Sequence, residues 1–166
     1  MYSEPGKGTT FKIYFPRVRE KAETLVMSND EAEPRGQSQT ILVVEDDKTL
    51  RELTVQLLRD GGYRVIEAKD GEDAVRILAT SEAGIDLLLT DVIMPEKSGP
   101  ELVKQIEKGH PKTRFVFMSG YSNDMVKRHG LSIQEDSFLE KPFTKRSLLV
   151  KIYSALHAES EKQADI

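Results

Sequence analysis

The chain contains no cysteine, which excludes disulfide stapling and thiolate chemistry and suits a reducing compartment. It has no apolar run of membrane-spanning length. Its first residues, MYSEPGKG, lack the apolar stretch of a signal peptide. Nor is positive charge in excess: 24 Lys and Arg against 28 Asp and Glu give a net charge of -4. That balance argues against nucleic acid or an anionic membrane as the main partner. Apolar residues are few, at 38% of 166, which is low for a chain folded end to end. These absences predict a soluble, cytoplasmic chain with one ordinary domain and some linker.

What is present falls into zones. Residues 1–18 hold a PGKG turn and then TTFKIYFPRV, where Phe11, Ile13 and Phe15 alternate as in a half-buried strand. A single strand does not fold alone, so this zone needs partners. Residues 19–38 are polar, with Pro34 and Gly36, and read as a linker. From Thr40 the pattern becomes regular. The strands expected are TILVVE, YRVIEA, IDLLLTD, RFVFMSG and DSFLEKP. Between and after them lie five helices: residues 48–60 (Leu50, Leu53, Leu57 and Leu58 on one face), 71–80, 99–108, NDMVKRHG ending at Gly130, and 144–158. Such alternation predicts a parallel sheet covered on both faces. A short tail, 159–166, follows.

Ligands of open parallel sheets bind at the carboxyl ends of the strands. Here those ends carry Glu45-Asp46-Asp47, Asp91, Ser119-Gly120 and Lys141-Pro142. Carboxylates gathered at one point repel one another unless a cation sits among them. Oxygen ligands in small number suit Mg²⁺. Mg²⁺, an ammonium and a hydroxyl together suit a phosphoryl group, and Asp91, at the centre, is the candidate nucleophile. Each residue also has a plainer reading. Asp47 is placed to cap the helix that follows, Ser119 could form a turn, Lys141 could be a surface lysine, and Phe138 could be core. The Lys141-Pro142 bond is compatible with a cis peptide. His110, His129 and His157 have no metal-binding spacing and read as solvated.

The motifs LVVEDD, DVIMP, MSGY and FLEKPF, in this order and spacing over residues 39–158, resemble those of response-regulator receiver domains. The resemblance implies a doubly wound, flavodoxin-like (βα)5 fold with strand order 2-1-3-4-5. It implies Asp91 as phosphoacceptor and Mg²⁺ held by Glu45, Asp46, Asp91 and the backbone carbonyl of Ile93. It also implies Ser119 as switch hydroxyl, Lys141 as the family lysine and Phe138 as the aromatic switch, turning inward when Ser119 moves to the phosphoryl group. The implied phosphodonor is a phosphohistidine of a sensor kinase. Two departures matter. Ile93 is apolar where many receivers carry a polar side chain, and Phe138 replaces a tyrosine, so its movement would rest on packing alone.

The stretch SEPGKGTTFKIYFPRV, with Gly6, Gly8 and Thr9, resembles the last glycine-rich box and final strand of histidine-kinase ATP-binding domains. Without the other nucleotide-binding boxes it implies no working ATP site. Together the two resemblances imply a piece of a hybrid histidine kinase: kinase tail (1–18), linker (19–38) and receiver. The implied partners are the kinase phosphohistidine, in the same parent chain or another, and a histidine phosphotransfer protein; a homodimer through the last helix is compatible. The rival readings are an Mg²⁺-dependent phosphatase or phosphotransferase with an aspartyl nucleophile, and a degenerate receiver used only for docking. Against the first, the position two residues after Asp91, where such enzymes often place a second acid, is Ile93, and no cap insertion is evident.

Overall fold

The PGKG stretch reverses the chain. Gly6 and Gly8 have φ of 77° and 87°, a region open to glycine and strained for other residues, and the Lys7 amide donates to the Glu4 carbonyl at 3.0 Å. The turn joins two antiparallel strands, β1 (Tyr2–Glu4) and β2 (Gly8–Thr10). The expected strand through Phe11, Ile13 and Phe15 does not form over the described residues. Pairing stops at Thr10, Phe11, Ile13 and Tyr14 are exposed, and Phe15 lies outside the described residues. Alternation yields a strand only where a neighbour supplies ladder partners, and β1 ends opposite Thr10. These observations come from a computed structural model, which describes residues 2–14, 33–80, 84–121 and 135–158. The chain divides into two compact units, residues 1–32 and 33–166.

In the second unit, five strands form one parallel sheet: β3 (Thr40–Val44), β4 (Arg64–Ala68), β5 (Leu87–Asp91), β6 (Arg114–Ser119) and β7 (Phe138–Glu140). Their order across the sheet is β4-β3-β5-β6-β7. Counted from β3, this is the expected 2-1-3-4-5 order of a flavodoxin-like fold. The described α-helices are α1 (Lys48–Asp60), α2 (Gly71–Thr80), α3 (Gly99–Glu107) and α4 (Lys145–His157). The helix expected over NDMVKRHG lies outside the described residues.

Strand side chains alternate between two cores. Leu42, Val44, Leu88 and Phe117 pack with Ala74 and Leu78 of α2 and Leu102, Val103 and Ile106 of α3. Ile41, Val43, Leu87, Leu89, Val116 and Met118 pack with Val55 and Leu58 of α1 and Leu148, Leu149 and Ile152 of α4. The central strands are thus covered on both faces, which is why they read as unbroken apolar runs.

One helix face differs from expectation. In α1 the buried residues are Thr54, Val55 and Leu58, while Leu53 is 52% exposed. A threonine tolerates this position because its hydroxyl donates to the Leu50 carbonyl at 2.8 Å, leaving no buried polar group unpaired.

Residues 33–38, expected as linker, are docked together with Gln39 ahead of β3. The Gly36 amide donates to the Gly61 carbonyl at 2.8 Å, the Arg64 amide donates to the Gln39 carbonyl at 2.9 Å, and Glu33 pairs with Lys145 at 2.9 Å.

Candidate functional site

Parallel pairing brings the carboxyl ends of β3, β5, β6 and β7 to one edge. Glu45 follows β3, Asp91 ends β5, Ser119 ends β6 and Lys141 follows β7. The Lys141 amide donates to the Ser119 carbonyl at 2.7 Å, which carries the pairing of β6 and β7 one step past the strand. The Lys141–Pro142 peptide is cis.

The Lys141 ammonium donates to Glu45 Oε2 at 2.6 Å and to Asp91 Oδ2 at 2.7 Å. The Glu45 side chain is 2% exposed, Lys141 15% and Asp91 14%. Oxygens of Glu45, Asp46 and Asp91 lie within 4.8 Å of one another. Asp46 is exposed, and its carboxylate makes no hydrogen bond or ion pair among the described residues. Asp47 stands apart as the cap of α1, its Oδ1 accepting from the Leu50 amide at 2.8 Å.

Burial pushes the Glu45 carboxyl above the ordinary carboxylate range, against the lowering pull of the Lys141 hydrogen bond and charge. Burial also works against the Lys141 charge. Hydrogen bonds to Asp91 and Glu45, with their negative charges, outweigh it and hold the ammonium above its usual range. Three carboxylates and one ammonium leave two negative charges unbalanced, the complement of one divalent cation. Clustered oxygen ligands of this kind fit a hard cation such as Mg²⁺.

Ser119 is buried, and its hydroxyl accepts from the Tyr121 amide at 3.1 Å. It makes no hydrogen bond to Asp91 among the described residues. Ile93 is 56% exposed, and its amide donates to Asp91 Oδ1 at 3.3 Å. Phe138 is 8% exposed and lies in the core with Phe117. This is the inward position that the resemblance assigns to the switched state.

Two supporting residues escape a reading by motif. A Cβ on Gly99 would stand 2.3 Å from the Asp91 carbonyl oxygen, and the Gly99 amide donates to the Val92 carbonyl at 3.0 Å. The loop after Asp91 thus folds back against the start of α3. A glycine in the first turn of a helix, where propensity disfavours it, is the signal that could have pointed there. The second is Arg51 on α1, which donates to the Glu45 carbonyl at 2.7 Å and the Asp46 carbonyl at 3.4 Å. Nothing in the sequence separates it from an ordinary helix-surface arginine.

Comparison with known proteins agrees with this geometry. The response regulator receiver domain family matches residues 41–153. Sensor kinase CckA of Brucella abortus is 36% identical over 164 residues, covering 95% of this chain and 17% of that protein. Transcriptional regulatory protein CpxR of Escherichia coli is 38% identical over 125 residues, covering 74% of this chain and 52% of that protein. The chain therefore spans less than a fifth of the length of the first relative and about half of the second. Among solved structures, the receiver domain from hybrid histidine kinase CckA has a TM-score of 0.58 and 37% identity, covering 70% of this chain and 98% of that one. Chemotaxis response regulator CheY4 of Vibrio cholerae has a TM-score of 0.63 and 27% identity, covering 71% and 98%. The sheet order, the acidic edge and these matches agree, and the chain belongs to the response regulator receiver domain family of two-component signalling.

Proposed function

We propose that Asp91 is the residue on which this receiver accepts a phosphoryl group, with Mg²⁺ held by Glu45, Asp46, Asp91 and the carbonyl of Ile93. The observation that carries this reading is the Lys141 ammonium, within hydrogen-bond distance of both Glu45 and Asp91, beside an exposed Asp46 whose carboxylate has no partner among the described residues. When bound, the metal would supply positive charge to the phosphoryl oxygens. An Asp91 carboxylate oxygen forms the new P–O bond as the P–N bond of a phosphohistidine breaks, and the imidazole leaves with that electron pair. Lys141 donates to the transferred oxygens. Ser119 exchanges the Tyr121 amide for a phosphoryl oxygen. Because Phe138 is already inside, phosphorylation stabilises this packing rather than creating it, a shift in population between two packings.

The wider setting is part of the same proposal. Similarity to a sensor kinase runs over 95% of this chain, across both compact units. That extent supports a hybrid-kinase parent, with a kinase phosphohistidine as donor, a histidine phosphotransfer protein as second partner, and the cytoplasm as location. No helix among the described residues is long and apolar enough to cross a membrane.

The test is intact-mass spectrometry after incubation with acetyl phosphate. One Mg²⁺-dependent phosphate, lost in Asp91→Asn, is the expected result. An adduct that survives Asp91→Asn, or none in wild type, overturns the assignment.

A further inference from the structure

We infer that Arg51 is a positioning residue for the cation site, setting the backbone that carries Glu45 and Asp46; the inference rests on the proposed Mg²⁺ site. The guanidinium is braced between two elements. On one side Nη1 donates to the carbonyls of Glu45 and Asp46 at 2.7 and 3.4 Å. On the other, Nε lies 3.6 Å from Oε2 of Glu67 on β4. The side chain is 13% exposed, so it is packed in place rather than waving in solvent.

Asp46 is why this brace matters. Its carboxylate has no partner among the described residues, so its position follows only from its backbone. After Asp46 the chain is fixed by the start of α1, where the Asp47 carbonyl accepts from the Arg51 amide at 2.9 Å and the Asp47 amide bonds to the Glu45 carboxylate; before it the ties are fewer. The Glu45 amide donates to the Ala68 carbonyl at 3.3 Å, a long bond, and Arg51 holds the two carbonyls. The planar fork of arginine can engage two carbonyls and a carboxylate at once, whereas a lysine offers one point charge. Groups that orient metal ligands from behind typically change metal affinity about 10–100-fold when removed.

Charge and positioning predict opposite signs. Removing a positive charge beside three carboxylates strengthens cation binding by Coulomb's law. Removing a brace weakens it. Mg²⁺ affinity of the full chain, read by isothermal titration calorimetry, separates the two. The variants are Arg51→Gln and Arg51→Lys, with thermal melts and backbone amide exchange at 45–47 recorded without metal.

The expected result is Mg²⁺ binding about tenfold weaker in Arg51→Gln, partly restored in Arg51→Lys, with faster amide exchange at 45–47 in the metal-free variant. Affinity equal to wild type within about twofold, or tighter as charge alone predicts, overturns the inference and leaves the Mg²⁺ site standing. If wild type itself binds no Mg²⁺, both fall. If Arg51→Gln does not fold, Arg51→Lys decides alone: weaker binding supports the brace and unchanged binding overturns it.

Discussion

Gly99 lies so close to Asp91 that a Cβ there would stand 2.3 Å from the Asp91 carbonyl oxygen. The neighbour is backbone, not the end of a flexible side chain, so it cannot step aside cheaply. Gly99→Ala therefore displaces either the start of α3 or Asp91 itself. The expected cost is about 1–3 kcal/mol, the usual range for overpacking, read by urea denaturation. Acetyl-phosphate labelling should fall with it. Wild-type stability in Gly99→Ala would show that the loop after Asp91 yields more easily than this contact allows.

Lys141 and Asp46 should respond in opposite directions without metal. Lys141→Met leaves Glu45 and Asp91 facing each other without their cation. Stranding one side of a buried pair costs about 3 kcal/mol. Asp46→Asn removes a charge that has no partner among the described residues, so it only relieves repulsion and should raise the melting temperature slightly. The same variant should lose the stabilisation that Mg²⁺ gives wild type, about 1.4 kcal/mol at ten times the dissociation constant. Melts with and without Mg²⁺ on the two variants test both halves.

The raised pKa of Glu45 fixes the sign of a pH effect. Its ordinary value is 4.5, and burial lifts it in the folded chain. A carboxyl raised on folding contributes stability that is fully present below about 4.5 and is lost as pH rises through the folded value. Metal-free wild type should therefore lose stability, relative to Glu45→Gln, as pH is raised from about 4.5 toward neutrality. Mg²⁺ requires the ionised form, so its affinity should increase over the same window with release of a proton. A difference between the two proteins that does not change with pH would show that Lys141 cancels the effect of burial on Glu45.

Tyr63 gives a stability test away from the site. Its hydroxyl is buried with no hydrogen-bond partner among the described residues, and burial raises its pKa. Tyr63→Phe removes an unsatisfied group and keeps the ring, so it should be neutral or stabilising by about 1 kcal/mol. Gly36→Ala presses a Cβ to 2.5 Å from the same ring and should destabilise. A marked loss in Tyr63→Phe would reveal a partner for the hydroxyl.

Much of this is legible in the sequence. Leu87, Leu88 and Leu89 read as a central strand because both faces of the sheet are covered, and Asp91 stood out as a charge ending it. Leu53 misled because periodicity assigns a face without saying which turn meets the sheet; a threonine whose hydroxyl bonds to its own helix took the buried place. Phe11 and Ile13 misled because alternation records a strand's needs and not whether a neighbour is there to meet them. Gly99 and Arg51 were hidden for another reason. Both act through backbone atoms of other residues, and no side-chain pattern encodes where a distant carbonyl will be.

The β7 strand carries a consequence for how the molecule is made. Lys141 is separated from Asp91 by 50 positions and from Glu45 by 96. During synthesis the two acids can come together before their cation has left the ribosome. A chain cut before Phe138 therefore holds an edge of like charge without its lysine, and is expected to be less stable and more open to proteases. Late arrival of one lysine makes finishing the sheet and completing the site the same event.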